Sequence, residues 1–327
     1  MPSNRKVVLV PQSMGQAGKD VLIRRDDIEM RDYSAEIGQS ELLPLLADAA
    51  GIALSVTPFG KTELDAAPVM EVVARIGVGY DAVAVPALTA RRVPLMIAGI
   101  ANSTSVAEHA LYLMITLAKR GPAMHEVVRE GKWGQGRAVL PMEVSGKTVL
   151  IVGFGRIGSR LAPRCAALGM TVLVHDPYVD ANAITAAGHT PAPDLDAALG
   201  QADFVSINCP KTPETVGLFN AARLARMKRG AFLVNTARGG IIDERALYRA
   251  LTEGRLHGAG LDVFEAEPTP VDNALLELPQ VIASPHMAGV TAESVAAMAV
   301  TTAENILSVL DGRPNRENAI NPEVFGA

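Results

Sequence analysis

The chain of 327 residues reads as α/β, with two doubly wound parallel-sheet domains. Two observations predict this class. Short apolar runs of strand length alternate with helix-period stretches from one end to the other, the pattern of βαβ units. Near the middle, the run Val149-Leu150-Ile151-Val152 ends in Gly153-Phe154-Gly155-Arg156-Ile157-Gly158, a glycine-rich turn between a strand and a helix.

In order, strands are expected at 6–10, 52–56, 72–76 and 94–98, then at 147–152, 171–175, 203–208, 231–235, 258–262 and 281–284. The first group has no phosphate-binding glycine loop and the second begins with one, so they belong to separate sheets. Between them Ser105-Val106-Ala107-Glu108 has the form of a capping box. The helix it opens runs through Leu111, Tyr112, Met114, Ile115 and Leu117 until Gly121-Pro122. Such an apolar helix is either a core helix or a packing surface for a second copy. Another long helix is expected from Thr291 to Leu310, carrying the chain back toward the first domain. Pro163 should kink the helix after the glycine loop, with no functional meaning assigned to it. The expected domains are therefore 1–101 with 289–327, and 102–288.

Composition narrows the function classes. Hydrophobic residues make up 49% and charged residues 20%, with a net charge of −5 and no basic run, so nucleic acid is not an expected partner. The first apolar run, Val7-Val8-Leu9-Val10, is too short for a signal-peptide core, and no stretch approaches a membrane span. Cys165 and Cys209 make no disulfide framework, and the six histidines show no metal-ligand spacing. A cytoplasmic, reducing, metal-free setting is expected.

The glycine turn has a specific chemistry. Gly153 permits the tight turn, Gly155 lets backbone amides approach a pyrophosphate, and Gly158 lets the helix pack closely on the strand. The next strand, Thr171 to His175, ends at Asp176, where a carboxylate can bond the ribose hydroxyls of adenosine. Together these predict a Rossmann-type dinucleotide site; the plainer alternative is an ordinary βαβ turn whose Asp caps a helix. Asp176 would repel a 2′-phosphate and Pro177-Tyr178 adds no cation, so NAD is expected over NADP.

Three polar residues each follow an expected strand: Arg238, Glu267 and His286. Parallel strands all point one way, so the three emerge on the carboxyl edge with the glycine loop, where open α/β sheets bind ligands. Around them lie Asn235-Thr236-Ala237-Arg238-Gly239-Gly240, Asp262-Val263-Phe264-Glu265-Ala266-Glu267-Pro268 and Ser284-Pro285-His286-Met287-Ala288-Gly289. These segments resemble the signatures of the D-isomer-specific 2-hydroxyacid dehydrogenase family. Gly77-Val78-Gly79-Tyr80-Asp81, Val106-Ala107-Glu108-His109 and Asn321-Pro322-Glu323-Val324 also fit that pattern.

The resemblance implies a flavodoxin-like substrate domain beside the Rossmann domain, with the cofactor in the cleft between them. It implies NAD-dependent interconversion of a D-2-hydroxy acid and its 2-oxo acid by a homodimer. His286 would be the acid/base, Glu267 its partner and Arg238 the substrate anchor, with the Val78 and Gly79 amides on the carboxylate. Beside Gly153, Gly155, Gly158 and Asp176, the implied cofactor residues are Thr104, Arg156, Ile157, Cys209, Pro210, Thr215, Thr236, Ala237 and Asp262. The chemistry agrees. A histidine titrates near neutrality and suits proton transfer, a carboxylate on its other nitrogen fixes the tautomer, and a guanidinium fork grips a carboxylate.

His109 reads as structural or interfacial, and Trp133 as a loop residue that packs or touches substrate. Ala82 stands where many relatives carry a second acid. The segment 54–59 lacks the arginine of phosphoglycerate-specific relatives, and no regulatory domain follows residue 327, both of which weigh against 3-phosphoglycerate. Two other readings of the fold are a non-catalytic NAD-sensing regulator and a phosphite- or formate-type dehydrogenase. Glu267 stands where formate-type relatives typically carry glutamine, which disfavours the last.

Overall fold

The computed structural model describes residues 5–137 and 140–326. Residues 1–4, 138–139 and 327 of the expected domains lie outside the described residues. The chain divides into two compact units, Met1–Asn102 with Val290–Ala327, and Ser103–Gly289.

The chain begins with β1 (Lys6–Pro11), α1 (Gln16–Ile23), β2 (Ile28–Tyr33), α2 (Gln39–Leu45), β3 (Ala49–Leu54), α3 (Lys61–Asp65), β4 (Val72–Arg75), α4 (Val85–Ala90) and β5 (Leu95–Met96). It continues through α5 (Ser103–Lys119), α6 (Gly121–Arg129), β6 (Thr148–Val152), α7 (Gly158–Ala167), β7 (Thr171–His175), α8 (Ala181–Ala186), β8 (Thr190–Pro191), α9 (Leu195–Leu199) and β9 (Phe204–Ile207). Last come α10 (Ala221–Arg226), β10 (Phe232–Asn235), α11 (Glu244–Thr252), β11 (Gly258–Leu261), β12 (Val281–Ala283) and α12 (Ala292–Leu310).

In the first unit five strands pair in parallel in the order β2-β1-β3-β4-β5, the flavodoxin-like order. Alternation along β1 shows why it is central. Val7 and Leu9 face one apolar cluster, while Val8 and Val10 face the other with Ala299, Ala303 and Ile306 of α12. A strand buried on both faces must be apolar throughout, which is why β1 was legible.

β2 was not expected. Its sequence, Ile-Glu-Met-Arg-Asp-Tyr, is charged because the strand lies at a sheet edge. Arg31 there pairs with Glu29 at 2.6 Å and Asp48 at 2.9 Å, the charge pattern that blunts edge strands. β3 starts and ends earlier than the expected 52–56, because the small residues Ala49-Ala50-Gly51 hide its beginning.

In the second unit seven parallel strands run β12-β11-β10-β9-β6-β7-β8. Counted from β6 this is the Rossmann order extended by one strand, with its switch point between β6 and β9. Val149 and Ile151 face a core shared with α5 and α7, and Leu150 and Val152 face the opposite core with Leu195 and Leu247. β8 escaped the sequence reading because it is two residues long and ends in an edge proline.

Two helix boundaries correct the expectations. α5 begins at Ser103, so Ser105 lies inside the helix and is not its cap. The chain leaves α5 at Arg120 in a left-handed conformation, φ 54°, and Pro122 then opens α6 instead of ending a helix. α5 itself is a core helix, with Ala107, Ala110, Leu113 and Leu117 buried.

Candidate active site

The glycine turn follows β6 at the switch point. Gly153 sits at φ 96°, and a Cβ there would lie 2.7 Å from the Cys209 amide nitrogen. A Cβ on Gly158 would overlap the Gly153 carbonyl oxygen, so α7 can start this close to the strand only with glycine. Gly155 has open space where its Cβ would be. At the end of β7, Asp176 accepts the Phe154 amide on Oδ2 at 2.7 Å and the Tyr178 amide on Oδ1 at 2.9 Å. Its carboxylate therefore braces the glycine turn, and each oxygen keeps a second lone pair.

The residues of this edge fit a dinucleotide. Among the described residues, Asn208 Oδ1 and Thr236 Oγ1 are buried without a hydrogen-bond partner, at the ends of β9 and β10. Native proteins rarely leave such groups orphaned, and a bound polar ligand is one way to satisfy them. Other expected cofactor residues lie on the same unit in different circumstances. Arg156 and Ile157 form the turn before α7, Thr104 is exposed in the first turn of α5, and Ala237 follows β10. Thr215 donates to the Pro210 carbonyl at 2.7 Å and accepts from the Thr212 amide, which orders the loop after β9. Burial pushes the Cys209 thiol up to about 11.

Arg238, Glu267 and His286 are brought together by strand order. β10, β11 and β12 are neighbours, and their last residues Asn235, Leu261 and Ala283 are in register. Buried Asn235 shapes the first turn, accepting from the Ala237 amide at 3.0 Å and donating to the Arg238 carbonyl at 2.9 Å. Arg238 Nη1 in turn donates to the Ala237 carbonyl at 2.7 Å. Glu267 takes the Phe264 amide on Oε1 at 2.9 Å and faces His286 Nδ1 with Oε2 at 2.7 Å. Both side chains are partly open to solvent, 47% for His286 and 36% for Glu267. With Nδ1 held by a carboxylate, the ring can exchange a proton through Nε2.

His286 has a left-handed backbone, φ 55°, a strain of about 1–3 kcal/mol for a residue that is not glycine. Asp262 holds this conformation. Expected as a cofactor residue, it is 1% exposed, and both carboxylate oxygens are used inside the fold. They accept from the Met287 and Ala288 amides at 2.8 Å each and from Ser284 Oγ at 2.6 Å. Ser284 also meets His109 Nε2 at 2.9 Å. Sequence reading missed this chain, although Ser284 stands in the Ser-Pro-His motif and His109 in Ala-Glu-His.

Val78 and Gly79 belong to the first unit, in the loop after β4. Arg75 ties that loop down, donating from Nε to the Gly79 carbonyl at 2.7 Å and from Nη1 to the Leu54 carbonyl at 3.1 Å. Among the described residues no group of histidine, cysteine and carboxylate side chains could hold a metal, and no helix is long and apolar enough to cross a membrane.

Residues 111–288 match the model of the "D-isomer specific 2-hydroxyacid dehydrogenase, NAD binding domain". A D-3-phosphoglycerate dehydrogenase of Archaeoglobus fulgidus is 35% identical over 315 residues, 96% of this chain and 59% of the relative. The chain spans between 56% and 59% of the length of such curated relatives. A protein of Thermus thermophilus superposes with a TM-score of 0.87 at 33% identity, over 96% of this chain and 99% of that one. The D-lactate dehydrogenase of Aquifex aeolicus, solved with NAD and lactic acid, has a TM-score of 0.85 at 27% identity, with 96% and 99% covered.

Proposed function

Because the chain belongs to the D-isomer specific 2-hydroxyacid dehydrogenase family, we propose that it interconverts a D-2-hydroxy acid and its 2-oxo acid with NAD as cofactor. The observation that carries this reading is the His286–Glu267 contact, two strands from Arg238 on the edge that also bears the glycine turn. NAD, when bound, supplies or accepts the hydride at C2 of the acid.

The residues of this chain do the rest. In the reducing direction His286 gives a proton to the forming alkoxide from Nε2, and in the oxidising direction it takes that proton back. Glu267 fixes the tautomer and stabilises the imidazolium. Arg238 presents a planar fork to the substrate carboxylate and draws charge from the oxo group. The Val78 and Gly79 amides are proposed as further donors to the carboxylate. The amides of the glycine turn and the N-terminus of α7 hold the pyrophosphate, and Asp176 the adenosine ribose.

An oxo acid without a phosphate is favoured. The family resemblance puts the segment 54–59 at the substrate pocket, and that segment holds no arginine or lysine. We extend the proposal to a cytoplasmic homodimer. What supports it is that α6 has no buried residue, and that Val128 on it and Trp133 just beyond it are exposed at 55% and 79%, apolar side chains that a second copy would cover. Light scattering after gel filtration tests the assembly.

The activity test follows NADH consumption with glyoxylate, hydroxypyruvate, pyruvate and 3-phosphohydroxypyruvate. Turnover of at least one supports the reading, and preference for an unphosphorylated acid supports the substrate class. NADH binding with no turnover of any 2-oxo acid would overturn it in favour of a regulator.

A further inference from the structure

We propose that His109 and Ser284 are positioning residues which, with Asp262, hold His286 in its working place. The role assigned to His286 rests on the dehydrogenase reading; the hydrogen-bond chain itself lies wholly within the second unit.

Proton accounting gives the chain one polarity. Asp262 Oδ1 already accepts the Met287 amide, and a carboxylate oxygen can only accept. At 2.6 Å the Ser284 hydroxyl must therefore donate its single proton to Asp262. The Ser284 oxygen then accepts from His109, which places a proton on His109 Nε2, 2.9 Å away. His109 Nε2 is itself 3.9 Å from Asp262 Oδ1, too far for a direct hydrogen bond. The order is His109 to Ser284 to Asp262, running from the core helix α5 to the end of β11.

What the chain holds is the His286 segment. Besides the Met287 and Ala288 amides on its carboxylate, the Asp262 carbonyl accepts the His286 amide at 2.8 Å. Asp262 thus fixes the backbone on both sides of a residue whose left-handed conformation is unfavourable by itself. Ser284 supplies the third donor that this buried carboxylate uses. His109 supplies the partner that keeps the serine hydroxyl turned toward it. α5 is anchored in the core by Ala107, Ala110 and Leu113, so the donor at the head of the chain is fixed. Removing the imidazole leaves Ser284 Oγ with Asp262 as its one remaining partner in the chain, so the hydroxyl is held from one side only and the His286 segment loses part of its brace.

The test compares His109→Leu, Ser284→Ala and His109→Gln with wild type, by amide exchange and by kinetics. A glutamine amide can donate where His109 Nε2 does. In the Leu and Ala variants, exchange in the peptide carrying His286, Met287 and Ala288 should speed up by about tenfold or more, with the strands of the sheet unchanged. The kcat for oxo-acid reduction should fall by about tenfold or more, since small misplacements of a reacting group are costly in rate. KM and the Kd for NADH should stay within about threefold, because Arg238 and the glycine turn are untouched. His109→Gln should recover most of both losses.

Wild-type exchange and kcat in His109→Leu would overturn the proposal. So would equal acceleration of exchange across the whole unit, which would mark an ordinary packing contact. If wild type reduces no 2-oxo acid, the dehydrogenase reading falls, and the exchange measurement alone decides whether the chain positions this segment.

Discussion

The carboxylate of Glu267 bridges two groups, the ring of His286 through Oε2 at 2.7 Å and the amide of Phe264 through Oε1 at 2.9 Å. The backbone bond sets the acid, and the acid sets the histidine. Replacing His286 with alanine should lower kcat by about 10²–10⁴-fold while NADH still binds. Glu267→Gln keeps an acceptor for Nδ1 but loses the charge, so its loss should be smaller than that of Glu267→Ala. Steady-state kinetics beside NADH fluorescence titrations check both, and equal activity in all three variants and wild type would end the assignment.

Arg238→Lys preserves charge but not the planar fork. We expect kcat/KM for the preferred oxo acid to fall by about tenfold or more, with the Kd for NADH nearly unchanged. A lysine enzyme with wild-type kinetics would show that Arg238 only shapes the turn it shares with Asn235.

Asp176 should make the protein prefer NADH to NADPH, since its carboxylate faces a 2′-phosphate as a like charge. Asp176→Ala should weaken NADH binding and narrow the preference. It also removes the acceptor for the Phe154 amide, so some loss of NADH affinity should remain even where the discrimination disappears. Equal efficiency with both cofactors in wild type would refute the assignment.

Both thiols should be slow to react. Burial pushes Cys165 up to about 12 and Cys209 up to about 11, with Asp176 adding to the latter, so almost no thiolate exists at neutral pH. Treatment with an aromatic disulfide at neutral pH should leave NADH binding intact over minutes. Rapid modification of Cys209 beside the glycine turn would contradict this.

Asp203 links stability to pH. Burial raises its carboxyl, but the Lys228 ammonium at 2.7 Å and the Thr148 amide at 2.9 Å outweigh that and hold it below the usual carboxylate range. A depressed acid stabilises the fold above its unfolded pKa of about 3.9, and this contribution fades as pH falls below that value. Asp203→Asn should therefore lower Tm at neutral pH by a few degrees, with the gap to wild type shrinking toward pH ~3. A gap that does not narrow would mean the aspartate acts through packing alone.

Strands buried on both faces, such as β1, β6, β9 and β10, could be read directly because burial on both sides demands continuous apolar runs. The glycine turn could be read because pyrophosphate binding and close helix packing tolerate few other residues at Gly153 and Gly158. The charged edge strand β2, the two-residue β8 and the start of α5 could not. Their residues satisfy neighbours distant in sequence, as Arg31 does with Asp48, and leave no local period.

Residue order alone shows that Arg238, Glu267 and His286 each follow a strand, and hence that they share one edge of a parallel sheet. Their order along that edge and the way they face come from long-range pairing. Strand order puts β10, β11 and β12 side by side in register, and a turn in the β11 loop brings the Glu267 carboxylate onto His286. The internal partners of Asp262 likewise come from the fold. Local sequence marks it as a polar residue at a strand end, open to a cofactor or to the interior. The donors it meets are Ser284 and two backbone amides from a loop more than twenty residues away, with His109 behind Ser284 from a helix before the whole sheet. A hydrogen-bond network among such distant residues has no period and no motif length, because its members are selected by proximity in space.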